Sequence, residues 1–168
     1  NTADEAMEGG RHIVAEMVSE DADLRKALRQ MMYDQGVVVS RKAMDAVDEQ
    51  DKFKMYYDYR EAVSKIPSHR MLAIRRGESE NVLYFLIELE ELRALSLLKG
   101  RVLRDAGDWT AQLERAIEDS YSRLLNSSIQ TEIRLELKKR SDTEAIGVFR
   151  ENLQNLLLAA PAGQLGVL

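Results

Sequence analysis

The chain has no cysteine, two prolines and one tryptophan among its 168 residues. Without thiols it has no disulfide framework, no cysteine nucleophile and no thiolate zinc site. That suits a reducing compartment, and the cytoplasm is the expected location. Aromatic residues make up only 6% of the chain, a profile closer to long solvent-exposed helices than to a sandwich or barrel. No apolar run approaches the ~18 residues that a membrane span requires. The start, NTADEAMEGG, lacks the charged-then-apolar pattern of a signal peptide. A membrane is not an expected partner.

Catalytic patterns are equally scarce. The two histidines, His12 and His69, fall in no ligand-spaced motif such as H-E-x-x-H. His12 has Glu8 and Glu16 one turn away on its own helix face and reads as a solvated surface side chain. There is no G-x-x-x-x-G-K-[ST] loop for phosphates and no G-x-S-x-G elbow. Ser68 precedes His69, but neighbours on a helix point in different directions, so they form no nucleophile–base pair. No metal, no cofactor and no catalytic residue is expected, and the chain reads as non-enzymatic.

Hydrophobic residues reach 45%, enough for a real core. The length suits one ordinary domain or two small ones. Charged residues are 32% and the net charge is -5. An acidic chain does not coat nucleic acid everywhere, so any such contact must be local. The chain begins without a methionine and stops on the apolar Val167-Leu168, which reads as an excerpt of a longer protein.

Periodicity predicts a mostly α fold: a multi-helix scaffold with one small two-stranded β element. Thr2 and Glu5 form a capping box. Ala6, Ile13 and Met17 then lie on one stripe, with Val14 and Val18 beside it, of a helix ending near Ser19. Asp21 caps a second helix buried through Leu24, Leu28 and Met31/Met32, stopped by Gly36 in a left-handed conformation. Val37–Val39 reads as a strand. Arg41 to Gln50 reads as a loop, and a third helix runs from Glu49–Asp51 to Pro67 with Phe53, Tyr56, Tyr57 and Val63 inward. Ser68 caps a fourth helix, with Met71, Leu72 and Ile74 inward and Gly77 at its end. Val82–Ile87 is a strand apolar on both faces, with Val37–Val39 as its partner. Leu92, Leu95, Leu98 and Leu103 begin a helical region. Asp108 caps the next helix, buried through Leu113, Ile117, Tyr121 and Leu124. Asn126-Ser127-Ser128 breaks it, and Ile129, Ile133 and Leu137 continue. Ser141 or Asp142 caps a last helix with Ile146, Phe149, Leu153, Leu156 and Leu157 inward, closed by Pro161-Ala162-Gly163. The expected organisation is a mixed subdomain over 1–89, with strands near 37–40 and 82–88. An all-helical segment follows over 90–163, and 164–168 starts a following domain.

One stretch stands out. KIPSHRMLAIRRGE, residues 65–78, concentrates Lys65, His69, Arg70, Arg75 and Arg76 behind a proline and Ser68. Cations at a helix N-terminus oppose the macrodipole, at a cost of a few tenths of a kcal/mol unless an anion is near. Free amides there bind phosphates and carboxylates. With Lys52 and Lys54 from the preceding segment, these residues make a candidate phosphate-binding patch. The competing reading is internal: His69 and Arg70 bond Asp58 or Glu61 within the domain.

These residues also carry a resemblance. Lys52-Phe53-Lys54-Met55-Tyr56-Tyr57-Asp58-Tyr59, Lys65-Ile66-Pro67-Ser68-His69-Arg70 and Leu72-Ala73-Ile74-Arg75-Arg76-Gly77-Glu78 resemble the central stretch of the Tex family, the bacterial transcription accessory proteins. Glu144-Ala145-Ile146, Val148-Phe149, Asn152-Leu153 and Leu156 to Gly163 resemble that family too. The chain departs from the family at Arg60-Glu61-Ala62, in place of Ser-Glu-Pro, and at Ser79-Glu80-Asn81, in place of Asn-Glu-Gly. The resemblance implies a multi-domain nucleic-acid-binding protein. Its OB-fold RNA-binding and helix-hairpin-helix parts would lie beyond Leu168, after a non-catalytic RNase-H-like domain. It implies a helical scaffold segment that meets RNA or DNA mainly through other domains and works with the transcription machinery. The alternative is a protein or interdomain interaction module with no nucleic-acid contact of its own.

Overall fold

The computed structural model describes residues 3–104 and 106–158. Six helices and a three-stranded sheet follow in the order α1 (Ala3–Glu20), α2 (Ala22–Gln35), β1 (Val37–Lys42), β2 (Asp58–Ala62), α3 (Ser68–Ser79), β3 (Leu83–Glu88), α4 (Glu91–Val102), α5 (Thr110–Ser120) and α6 (Asn126–Leu157). The fold is mostly α, as the periodicity implies. The Thr2 half of the expected capping box, and the Pro161 stop, lie outside the described residues.

The first two helices form largely where their patterns place them. Asp21 caps α2 by accepting from the amides of Asp23 at 2.9 Å and Leu24 at 2.8 Å. Leu24, Leu28 and Met32 are its buried face. In α1 the inward face is buried Ala15 and Val18 with half-buried Val14 beside them, because this face meets α5. Ile13 and Met17, the expected stripe, face outward. Gly36 does stop α2, but not through a left-handed turn: its φ is -71°. The glycine is there for close approach, since a Cβ would run into the Met32 carbonyl.

The sheet differs from expectation in one strand. β1 lies in the centre, antiparallel to β2 on one edge and to β3 on the other. The third helix expected over residues 49–66 does not form. Its place is taken by turns, a single 3-10 turn at Lys54–Tyr56, and β2. The physical reason is tertiary: the second edge of β1 has ladder donors and acceptors that need partners, and residues 58–62 supply them in register with Val37–Arg41. The carboxylate of Asp48 ties the loop before β2. It accepts from the amides of Lys52 and Phe53 and from the Tyr57 hydroxyl, at 3.0, 2.8 and 2.8 Å. The Phe53 amide bond, ahead of the Tyr57 bond, holds Asp48 below the ordinary carboxylate range. β3 buries Leu83, Phe85 and Ile87, while Tyr84 faces out, so only one of its faces is covered.

The last helix is longer than expected. No break occurs at residues 126–128. A π-helical turn over Tyr121–Leu125 carries α5 into α6, and α6 runs 32 residues. Ser141 does not cap a new helix. Its hydroxyl donates back to the Leu137 carbonyl at 2.8 Å, a bond that serines make inside helices. Ile129, Ile133 and Leu137 are buried as expected. Beyond Ser141 the expected face of Ile146, Phe149, Leu153, Leu156 and Leu157 is exposed.

Three arginine arrangements fasten the buried half of α6. Glu132 accepts from Arg25 and, at 2.7 Å, from Arg29 of α2. Arg134 donates to Glu78 and to the Phe85 carbonyl, both at 2.5 Å, and lies 3.9 Å over the Phe85 ring. Arg140 donates to the Ile66 carbonyl at 2.6 Å and to the Tyr33 hydroxyl at 3.2 Å. Burial raises the Glu132 carboxyl, but the bonds from Arg25 and Arg29 outweigh it and hold the group below its ordinary value.

Two predictions follow from this packing. A Cβ at Gly77 would stand 2.5 Å from Leu83 Cδ1 and 3.2 Å from Phe53 Cδ1, whereas Gly100 has open space around it. Urea denaturation should show Gly77→Ala destabilising by about 1–3 kcal/mol. Gly100→Ala should be neutral or stabilise by up to about 1 kcal/mol. The second concerns acid. A depressed folded-state carboxyl adds stability above the unfolded value, which is lost as pH falls through the folded value. Glu132→Gln should therefore lower stability at neutral pH and flatten its decline below about pH 4.5.

Candidate interaction site around the start of α3

Helix α3 begins where Ile66 and Pro67 leave the turn after β2. Pro67 occupies the cap position in an extended conformation and offers no side-chain bond. Ser68 is therefore the first helical residue and not the cap. Its side chain is 8% exposed, and its hydroxyl has no hydrogen-bond partner. The amides of Arg70 and Met71 reach the Pro67 carbonyl, both at 3.1 Å. Those of Ser68 and His69 have no acceptor among the described residues. This is an open helix start, with orphan donors of the kind that caps or ligands satisfy.

The basic residues do not converge. Arg70 turns toward β2, donating to the Tyr59 hydroxyl at 3.0 Å and to Glu61 at 3.2 Å. Its guanidinium lies 5.8 Å from the Tyr59 ring centre. The internal reading holds for this arginine, with Glu61 as its acid. Two turns along, Glu80 takes both Arg76, at 2.9 Å, and Lys52, at 2.9 Å. These two bonds, Lys52 first, hold the Glu80 carboxyl below its usual range. Lys54 pairs with Asp51 at 2.8 Å. Lys65, His69 and Arg75 pair with no carboxylate among the described residues. Four of these seven basic side chains thus already face a carboxylate, and Lys65, His69 and Arg75 do not.

A second feature has no signal in that motif. The start of α3 meets the flank of α6 in a groove of about 460 Å³. Pro67, His69 and Leu72 form one wall, and Val148, Phe149 and Asn152 the other. From there α6 runs outward, with Ile146 and Phe149 each 68% exposed, Leu153 44% and Leu156 76%. These side chains recur at intervals of three and four, the spacing of a helix seam that packs on another element. Periodicity shows the seam; it does not show that the seam is uncovered. The aromatic run is divided as well. Phe53 is buried, Tyr56 and Tyr59 meet edge to face at 5.5 Å, and Lys42 sits 4.8 Å over the Tyr57 ring. Burial, then the bond to Asp48, pushes the Tyr57 hydroxyl up to about 12. Among the described residues, no three His, Asp or Glu side chains are grouped to hold a metal ion. No helix among them is long and apolar enough to cross a membrane.

Known proteins share this arrangement of sequence. The family described as Tex central region-like matches residues 1–149. The uncharacterized protein YdcI of Bacillus subtilis is 38% identical over 95% of the chain. The transcriptional accessory protein Tex of Neisseria gonorrhoeae is 33% identical over 97% of it. The human S1 RNA-binding domain-containing protein 1 is 25% identical over 91%. The chain spans 22% of the length of the first two and 17% of the third.

The division of the cations makes a sharp contrast between two arginines of one motif. Arg70→Ala should cost about 1 kcal/mol, because it takes one donor from Tyr59 and leaves Glu61 with the Tyr59 hydroxyl but no cation. Arg75→Ala should change stability by less than about 0.5 kcal/mol. Paired urea melts of the two variants check this.

Proposed function

The chain belongs to the Tex family, and on that premise we propose that it is a non-catalytic helical scaffold segment of a nucleic-acid-associated transcription accessory protein. Its own role is to hold a neighbouring domain or partner protein, while RNA or DNA is met mainly through other domains. The observation that carries this reading is the outer half of α6. A helix fixed in the core by Ile129, Ile133 and Leu137 continues outward with its apolar seam uncovered. A run of exposed apolar side chains along one helix face is what an interaction face looks like. The names of the relatives support the setting: one is a transcriptional accessory protein and another carries an S1 RNA-binding domain.

A second reading keeps a minor phosphate contact at Lys65, His69 and Arg75, the cations without internal partners. Three such contacts limit the salt dependence: on single strands the log–log slope is no steeper than about -2. Lys52, Lys54, Arg70 and Arg76 contribute little to it, because each already faces a carboxylate.

The test compares the chain alone with the chain inside a protein as long as its relatives. Amide hydrogen exchange over residues 145–158 should be fast in the first and markedly slowed in the second. Phe149→Glu with Leu156→Glu should restore fast exchange there, while changing the stability of the chain alone by less than about 0.5 kcal/mol. Equal exchange in both settings would remove the scaffold reading. Anisotropy of labelled single-stranded RNA across a salt series checks the second reading: a slope steeper than about -2 would mean that the paired cations also bind.

A further inference from the structure

The two edges of the sheet are treated differently. The strand order β2-β1-β3 leaves β2 and β3 each with one unpaired side. On β3 that side is screened by α6. The Ile87 amide donates to the Gln130 side chain at 3.5 Å, and Arg134 donates to the Phe85 carbonyl at 2.5 Å. On β2 nothing does this. The Val63 amide reaches the Gly36 carbonyl at 3.0 Å, and the Lys42 amide reaches the Tyr57 carbonyl at 3.2 Å. An antiparallel ladder alternates from residue to residue. Tyr59 and Glu61 therefore turn their backbone groups toward β1, and Asp58, Arg60 and Ala62 turn theirs outward. The Ala62 carbonyl is taken by the Lys65 and Ile66 amides. The outward amides and carbonyls of Asp58 and Arg60 have no partner among the described residues. Such an edge is a template for another strand.

We propose that this edge pairs with the same edge of a second copy of the chain, antiparallel about a two-fold axis at Tyr59. The two sheets then join into one. The choice of partner rests on self-complementarity. In a two-fold pairing the residue on the axis meets its own copy. With Tyr59 there, Asp58 of each chain lies opposite Arg60 of the other. Opposite charges in directly facing positions stabilise a ladder, and so does a facing aromatic pair. The free amides and carbonyls of Asp58 and Arg60 then bond one another. Moving the axis to Asp58, Arg60 or Glu61 sets like charges face to face, which destabilises. An axis at Arg60, Glu61 or Ala62 also calls on the Ala62 carbonyl, which is already occupied.

The side chains are free for this exchange. Asp58 is exposed and has no partner among the described residues. Arg60 holds Glu88 through Nη2 at 2.6 Å and is half exposed, so its remaining N–H groups stay available. β2 has only five residues. The pairing buries less than the ~1,000 Å² of a durable interface, so it is transient. It is independent of the α6 arm and goes beyond the scaffold reading.

The experiment is sedimentation equilibrium of the chain from about 0.01 to about 1 mM, with amide exchange measured at both ends of the range. The average mass should rise with concentration, and the Asp58 and Arg60 amides should become protected as it does. Asp58→Arg and Arg60→Asp should each weaken association at least about tenfold. An equimolar mixture of the two variants should associate again, because the register sets each changed residue against a residue of opposite charge. A chain that stays monomeric throughout would overturn the proposal, as would a mixture no better than either variant alone. Association that survives the edge variants and is lost with Phe149→Glu and Leu156→Glu would overturn it and assign the contact to the arm. Protection of Asp58 and Arg60 only within the longer protein would overturn it too, and would give the edge to a segment of that protein. None of these outcomes bears on exchange over residues 145–158, which tests the scaffold reading separately.

Discussion

The structure depends on the burial of one helical stripe, Ile129, Ile133 and Leu137, each no more than 1% exposed. Side chains of this kind contribute about 1.5–3 kcal/mol each when buried. The stripe alone would fix α6 along one line and leave it free to rotate or slide. The three arginine arrangements remove that freedom. Glu132 ties α6 to α2, Arg134 ties it to α3 and β3, and Arg140 ties it to the turn before α3. Each bond is partly shielded from water, where a charge-assisted bond is worth more than on the surface. Elements from both halves of the chain therefore share one core.

The same fixing explains the basic motif. Seen along the chain, Lys52, Lys54, Arg70 and Arg76 look like cations waiting for an external anion. In space each has an internal carboxylate, and two of these pairs join segments that the core alone would leave loosely related. Lys52–Glu80 pins the loop before β2 to the end of α3, and Arg70–Glu61 pins the start of α3 to the edge strand. Lys54–Asp51 and Arg76–Glu80 lie within one turn and add less. Exposed pairs are worth roughly 0–1 kcal/mol each, so their effect is to select one arrangement and not to supply the stability.

How much of this was legible in the sequence follows from which forces are local. The cap at Asp21, the buried face of α2 and the stripe at Ile129, Ile133 and Leu137 are set by neighbours along the chain, and they form as their patterns imply; the pairing of residues 37–39 with residues 82–88 is long-range, but both strands are strongly apolar and it forms too. The strand β2 was not legible. Asp58–Ala62 has no strong β composition, and it is extended because the open edge of β1 demands a partner. The continuity of α6 was hidden for a related reason. Asn126-Ser127-Ser128 and Ser141-Asp142 are good cap residues, but here they are helical: Ser128 accepts from Arg25, and Ser141 bonds its own helix. At the candidate site the residues were legible and their roles were not. Ser68 reads as a cap because nothing in the sequence shows that Pro67 has already taken that position. The pairing of the cations depends on Asp51, Glu61 and Glu80, whose directions only the fold decides.

One consequence concerns the root of the arm. Because Arg140 and Ser141 lie at the last fastened turn of α6, the residues just beyond them cannot move far relative to the start of α3. Glu144 to Asn152 are one to three turns past that anchor, on a continuous helix without proline or a π turn. The groove is therefore preformed, while Leu156 and Leu157, further out, project without lateral support. A preformed groove loses little conformational entropy when filled, and the outer seam loses more.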